Sequence, residues 1–151
     1  MGDYKNIIVE ERGRVFIVTI NRPERRNAID ADTAEELYKA WTYFDKNPNL
    51  YVGVISGAGG NFSSGADLYD IDRLINRVTN PEGPLGFTRL RLSKPVIAAI
   101  GGYCVAGGLE IALWLIFGLP IKPLSSVSWR GGLAFLLWTV VPETCQDYWA
   151  W

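Results

Sequence analysis

One carboxylate stands in the stretch of this chain best suited to chemistry. Lys94-Pro95-Val96-Ile97-Ala98-Ala99-Ile100-Gly101-Gly102-Tyr103-Cys104-Val105-Ala106-Gly107-Gly108-Leu109-Glu110 passes from an apolar run through a glycine turn into a helix with an acid in its first turn. Seen alone, Glu110 reads as a cap on the positive end of a helix dipole. In a largely apolar pocket the same group would have a raised pKa, suited to exchanging protons near neutral pH. A second glycine-rich segment, Gly59-Gly60-Asn61-Phe62-Ser63-Ser64-Gly65-Ala66-Asp67-Leu68, directly follows a strand-like run. It fails as a phosphate loop because no Lys-Ser/Thr follows Gly65. Taken alone it is a tight strand-to-helix turn. Histidine is absent, which removes Ser-His and Cys-His catalysis and the commonest zinc ligand. Cys104 and Cys145 are too few and too far apart for a disulfide framework or a metal knot, so a reduced setting is the default.

The elements that must hold these loops can be read from periodicity. Residues 6–11 and 14–20 are β-rich runs separated by Arg12-Gly13, which predicts a hairpin. A helix is expected to begin near Asp32, with Thr33 and Glu36 spaced as a capping box. Ala34, Leu37, Trp41 and Phe44 give it one buried stripe, and Asn47-Pro48-Asn49 ends it. Residues 51–56 read as a short buried strand, so strand, helix, strand implies a right-handed crossover and a largely parallel sheet. A helix is expected over 67–77, a Pro/Gly loop over 79–86, and one helical turn over 87–92 with Arg89 and Arg91 outward. A third buried strand over 96–100 then leads through the glycine turn into a helix carrying Leu109 to Trp114. There is no internal repeat.

Taken together, the strings NRPERRNAID, VISGAGGNFSSGADL and KPVIAAIGGYCVAGGLEIAL resemble the three signature segments of the crotonase (enoyl-CoA hydratase/isomerase) family in order and separation. The likeness covers roughly residues 4–114 and implies an α/β fold: a crotonase-like ββα spiral core, incomplete here, with crossover helices on a largely parallel sheet. It implies a CoA thioester substrate and stabilisation of the enolate formed beside its carbonyl. The backbone N–H groups of Ala66 and Gly107 would form the oxyanion hole. At Gly107 a helix N-terminus leaves amides unpaired, and the missing Cβ lets an oxygen approach. Glu110 matches the family's first catalytic glutamate, acting on the added water in a hydratase or shuttling a proton in an isomerase. Arg25, Arg26 and Ala28 match the region lining the CoA nucleotide, although the arginines read equally well as solvated turn charges. Asp67, Leu68, Tyr69 and Gly108 continue the substrate pocket. No cofactor is expected beyond coenzyme A, which is part of the substrate. The family's homo-oligomers are trimers or dimers of trimers.

The likeness stops near Trp114, which divides the chain into 1–113, the N-terminal part of the crotonase-like domain, and an atypical tail, 114–151. That tail of 38 residues holds five of the six tryptophans and four charges, Lys122, Arg130, Glu143 and Asp147, with no clear period. Hydratases of the family bear a second glutamate about twenty residues after the first, in a Phe-Gly-x-x-Glu motif; here Arg130 occupies that place. A shifted reading frame accounts for this. When the last base of each codon joins the first two of the next, the segment from Trp114 to Ser126 permits A-L-W-C-D-L-R-I-A-D-K-A-A-V-F, with the cysteine regained by one lost base. Residues 135–149 permit P-L-L-D-G-G-T-R-D-L-P-R-L-L-G. Trp138-Thr139 must then encode Asp, Trp149-Ala150 must encode Gly, and the codon overlapping Trp129 and Arg130 gives Glu or Ala. The expectation is a single-base frameshift of a crotonase gene, decided by sequencing the coding DNA. It carries a second expectation: weak or absent turnover and impaired assembly.

Composition narrows the classes. At 151 residues, with 48% hydrophobic residues, the chain has room for one modest core. A net charge of −1 offers no electrostatic grip on nucleic acid. The N-terminus lacks the layout of a signal or transit peptide, and Asn6 stands where a myristoylation signal needs Ser or Thr, so a cytoplasmic location is expected. Three readings follow: an acyl-CoA hydratase or isomerase, a truncated inactive product of such a gene, and a small membrane protein using residues 95–121 as a span. The last would place Glu110 near mid-membrane, a cost of about 2.5–3.5 kcal/mol on insertion scales.

Overall fold

A computed structural model describes residues 4–115 and 117–120. Strands β1 (Ile7–Arg12) and β2 (Val15–Ile20) form the expected hairpin, paired antiparallel from Ile7 with Ile20 to Arg12 with Val15. Gly13 takes the turn at φ 62°, where a side chain would be strained. Helix α1 (Ala31–Lys46) leads to β3 (Val52–Gly57), parallel to β2, and β4 (Val96–Ile100) is parallel to β3. Helix α2 is the short Ile71–Ile75, and α3 spans Gly107–Trp114. β5 (Phe117–Pro120) adds a further parallel strand beside β4, giving the order β1-β2-β3-β4-β5. The α/β class, the largely parallel sheet and the crossover helix agree with the sequence. Apart from Trp114, Leu115 and β5, the tail lies outside the described residues.

α1 covers one face of the sheet. Its stripe of Ala34, Leu37, Ala40, Trp41 and Phe44 is fully buried, at 0% exposure, against Phe16, Val18 and Ile20 of β2 and Ile55 of β3. Burying each large side chain contributes about 1.5–3 kcal/mol, so this stripe rather than helix propensity holds α1 in place. Phe16 stacks on Phe44 at 5.5 Å and meets Trp41 edge-on at 6.0 Å. Gly53 makes the fit possible, because a Cβ there would lie 2.7 Å from the Trp41 ring.

Three expectations need correction. α1 is capped by Asp30, not by Thr33 with Glu36: Asp30 Oδ1 accepts from Thr33 N at 2.7 Å and from Thr33 Oγ1 at 2.6 Å. Glu36 instead accepts from the N–H groups of Lys5 and Asn6, at 3.0 and 2.9 Å, and so ties down the segment before β1. The helix expected over 67–77 is broken into a single 3-10 turn, Leu68–Asp70, followed by α2, because Asp67 accepts from Tyr69 N and opens a turn of its own. Residues 87–92 form a turn without a helix, anchored by the fully buried Phe87 against Trp41. Within the apolar run 95–121 the chain passes from β4 through a loop into α3 and β5. Among the described residues no helix is long and apolar enough to cross a membrane.

Candidate active site

Three loops stack at one end of the sheet: residues 22–30 after β2, 58–67 after β3 and 101–107 after β4. Parallel pairing places these loops side by side, since each follows the same end of its strand. Backbone bonds then join them. Phe62 N donates to Gly101 O at 2.7 Å, Ser63 N to Tyr103 O at 3.0 Å, and Val105 N to Ser63 O at 3.2 Å. Ile29 N donates to Gly65 O and Asp67 N to Ile29 O, both at 2.8 Å, which makes a one-residue parallel bridge between Ile29 and Ala66.

This bridge fixes where the Ala66 N–H points. In a planar trans peptide the carbonyl and the N–H face opposite ways. Gly65 O is held by Ile29, so the Ala66 N–H is aimed away from Ile29. The same reasoning applies at α3: Ala106 O accepts from Leu109 N at 2.9 Å and Glu110 N at 3.1 Å, so the Gly107 N–H points out of the helix N-terminus. The two peptides touch. A Cβ on Gly107 would sit 3.4 Å from Ala66 N, and a Cβ on Gly65 would sit 2.6 Å from Gly107 N. Neither N–H donates to another group among the described residues. Gly65 has φ 91°, and Ala106 is held at φ 50°, ψ −127°, a strained setting for a residue with a side chain.

Glu110 lies one turn along α3 from Gly107. It is 6% exposed, and its Oε1 finds no hydrogen-bond partner among the described residues. Burial pushes its carboxyl up to about 7, which is the raised pKa expected of a proton-exchanging group.

The other residues singled out from sequence divide into two groups. Arg25 and Arg26 are exposed on the 22–30 loop and lie over aromatic rings, Arg25 at 4.8 Å from the Tyr69 ring and Arg26 at 5.1 Å from Tyr103. Leu68 and Tyr69 are exposed, at 72% and 88%. Ala28, Asp67 and Gly108 are buried and hold the loops together. Gly108 packs so tightly that a Cβ would come 2.4 Å from Ser63 O, and both Asp67 oxygens are engaged, by Tyr69 N and by Arg22. Sequence reasoning missed the residues that organise this end of the sheet. Asn27 is fully buried; it accepts from Arg22 N and donates to the carbonyls of Ala58 and Asn61 at 2.8 and 2.7 Å, while its own carbonyl accepts from Ser63 Oγ. Arg22 bridges Asp30 and Asp67. Both lie inside the quoted NRPERRNAID string, the one signal that pointed to them. A separate cavity of about 240 Å³, lined by residues including Leu90, Pro95, Trp114 and Leu115, has none of Ala66, Gly107 or Glu110 in its wall.

The enoyl-CoA hydratase/isomerase family model matches residues 10–115. The mevalonyl-coenzyme A hydratase sidH of Aspergillus fumigatus is 45% identical over 102 residues, covering 64% of this chain and 37% of that protein. Enoyl-CoA hydratase EchA19 of Mycobacterium tuberculosis is 33% identical over 142 residues, covering 89% of this chain and 52% of the relative. Among solved structures, the enoyl-CoA hydratase EchA1 of Mycobacterium marinum superposes with a TM-score of 0.70 at 42% identity, over 75% of this chain and 44% of that one. The chain thus spans about half or less of the length of these relatives, and it matches their N-terminal portion.

Proposed function

We infer, because the chain belongs to the enoyl-CoA hydratase/isomerase family, that its paired loops form the oxyanion hole for an acyl-CoA thioester and that Glu110 is the acid/base carboxylate beside it. The reading rests on one observation: two N–H groups, Ala66 and Gly107, without an acceptor among the described residues, are aimed out of peptides that touch, with a buried carboxylate one helical turn away.

The chemistry follows from charge. When water adds to C3 of a 2-enoyl thioester and a proton goes to C2, electron density moves through C2 onto the thioester oxygen. Two fixed N–H dipoles in a water-poor site stabilise that developing negative charge without reorganising, and losing one such donor typically costs on the order of 2.7–4 kcal/mol of barrier. A carboxylate with pKa about 7 is half ionised near neutrality, so it can take a proton from the attacking water and return one to carbon. In isomerisation the same group would move a proton along the acyl chain. The exposed Arg25 and Arg26, held over Tyr69 and Tyr103, suit the phosphates and adenine of coenzyme A.

The test uses crotonyl-CoA labelled with carbon-13 at the thioester carbonyl, added to the purified chain and to Glu110→Gln. Both proteins are expected to displace the carbonyl resonance downfield, since the backbone donors survive the substitution. Hydration by the chain itself is expected to be weak or absent, with Arg130 standing where hydratases carry their second glutamate; any rate present is expected to vanish in Glu110→Gln. A bound thioester with an unchanged carbonyl overturns the reading.

A further inference from the structure

We propose that Arg22 is a positioning residue for this reaction, its guanidinium fixing the aim of the Ala66 N–H by clamping both sides of the Ile29–Ala66 bridge. The inference rests on the oxyanion role given to Ala66 above.

The contacts straddle the bridge. On the Ile29 side, Arg22 Nη1 donates to Ala28 O at 2.5 Å and Nη2 pairs with Asp30 Oδ2 at 2.9 Å, the residues immediately before and after Ile29. On the Ala66 side, Nη2 donates to Asp67 Oδ2 at 2.9 Å, the residue immediately after Ala66. The side chains are 13%, 16% and 6% exposed for Arg22, Asp30 and Asp67, so water screens these pairs far less than it screens a surface ion pair. Each carboxylate has a second task. Asp30 Oδ1 caps α1, and Asp67 Oδ1 accepts from Tyr69 N to start the next turn. Arg22 therefore joins the helix α1 start, the 28–30 segment and the exit of the 58–67 loop at one cation. The Ala66 N–H is aimed by Gly65 O bonding to Ile29 N, so rotation of the Gly65–Ala66 peptide needs the bridge to open, and opening it needs the clamp to release. Without the cation, Asp30 and Asp67 would be left facing one another as two partly buried anions. A planar guanidinium reaches three acceptors at once, which an ammonium cannot do in the same geometry.

Two variants of the full chain test this. Arg22→Lys keeps the charge and loses the fork. Asp67→Asn keeps the oxygen that accepts from Tyr69 and removes the charge from one of the two anionic partners of Arg22, the one on the Ala66 side, so it carries the test alone should Arg22→Lys fail to fold. In the free protein, the Ala66 amide resonance is expected to move in both variants while that of Gly107 stays in place. With crotonyl-CoA labelled at the thioester carbonyl, the downfield displacement on binding is expected to fall to less than half, while the dissociation constant changes by no more than about threefold. A lowered melting temperature with an unmoved Ala66 amide and an undiminished carbonyl displacement makes Arg22 merely structural and overturns the proposal. If the unsubstituted chain fails to displace the carbonyl, the oxyanion role itself falls, and the Ala66 amide still reports whether Arg22 orients that peptide.

Discussion

Replacing Glu110 by Gln is expected to change the pH dependence of folding stability in a direction fixed by burial. The folded carboxyl is pushed from 4.5 to about 7, so between those values the native state holds a proton that the unfolded chain has released. Stability must therefore be highest below the unfolded pKa and must fall as pH rises to about 7, after which it is level. At 1.36 kcal/mol per pKa unit the full shift converts to about 3 kcal/mol, and partial access of water to the carboxyl reduces this to roughly 2 kcal/mol. Gln has no proton to lose. Urea titrations of both proteins at pH 5 and pH 8 measure the effect, because every other titrating group cancels in the difference. The chain is expected to lose roughly 2 kcal/mol relative to Glu110→Gln between the two conditions. Parallel profiles would refute the reasoning, since they would mean that Glu110 ionises in the folded state as it does in water.

Two further substitutions probe the loops. Gly108→Ala forces a methyl to within 2.4 Å of Ser63 O, a backbone atom that cannot rotate away; a loss of about 2 kcal/mol is expected in urea unfolding, with a smaller carbonyl displacement in bound crotonyl-CoA. Ala106→Gly relieves a residue at φ 50°, ψ −127°. Strain of 1–3 kcal/mol set against glycine's greater freedom when unfolded predicts a net gain of about 1 kcal/mol in the same assay.

The legibility of the sequence followed the range of the interactions. The α1 stripe and the hairpin could be read because their signals repeat within a few residues, as Ala34, Leu37, Trp41 and Phe44 do. Glu36 had the right spacing for a capping box, but its partners are the amides of Lys5 and Asn6, 31 and 30 residues back, which no local pattern encodes. Nothing local marks Arg22, because its partner Asp67 lies 45 residues on. Asn27 was hidden for the same reason, with acceptors 31 and 34 residues away. Gly108 and Asp67 were expected in the substrate pocket from likeness alone. Their burial against Ser63 and Arg22 makes them parts that hold the loops together. Ala66, Gly107 and Glu110 were identified through the resemblance, whereas the close approach of the first two depends on the Ile29–Ala66 and Ser63–Cys104 bridges that only the fold supplies.

If two main-chain N–H groups from different loops serve a single oxygen, titration of the nitrogen-15 labelled chain with crotonyl-CoA must show it. The Ala66 and Gly107 amide resonances are expected to move downfield together along one binding curve, with a common dissociation constant. Movement of one without the other, or of neither while the thioester binds, would contradict it.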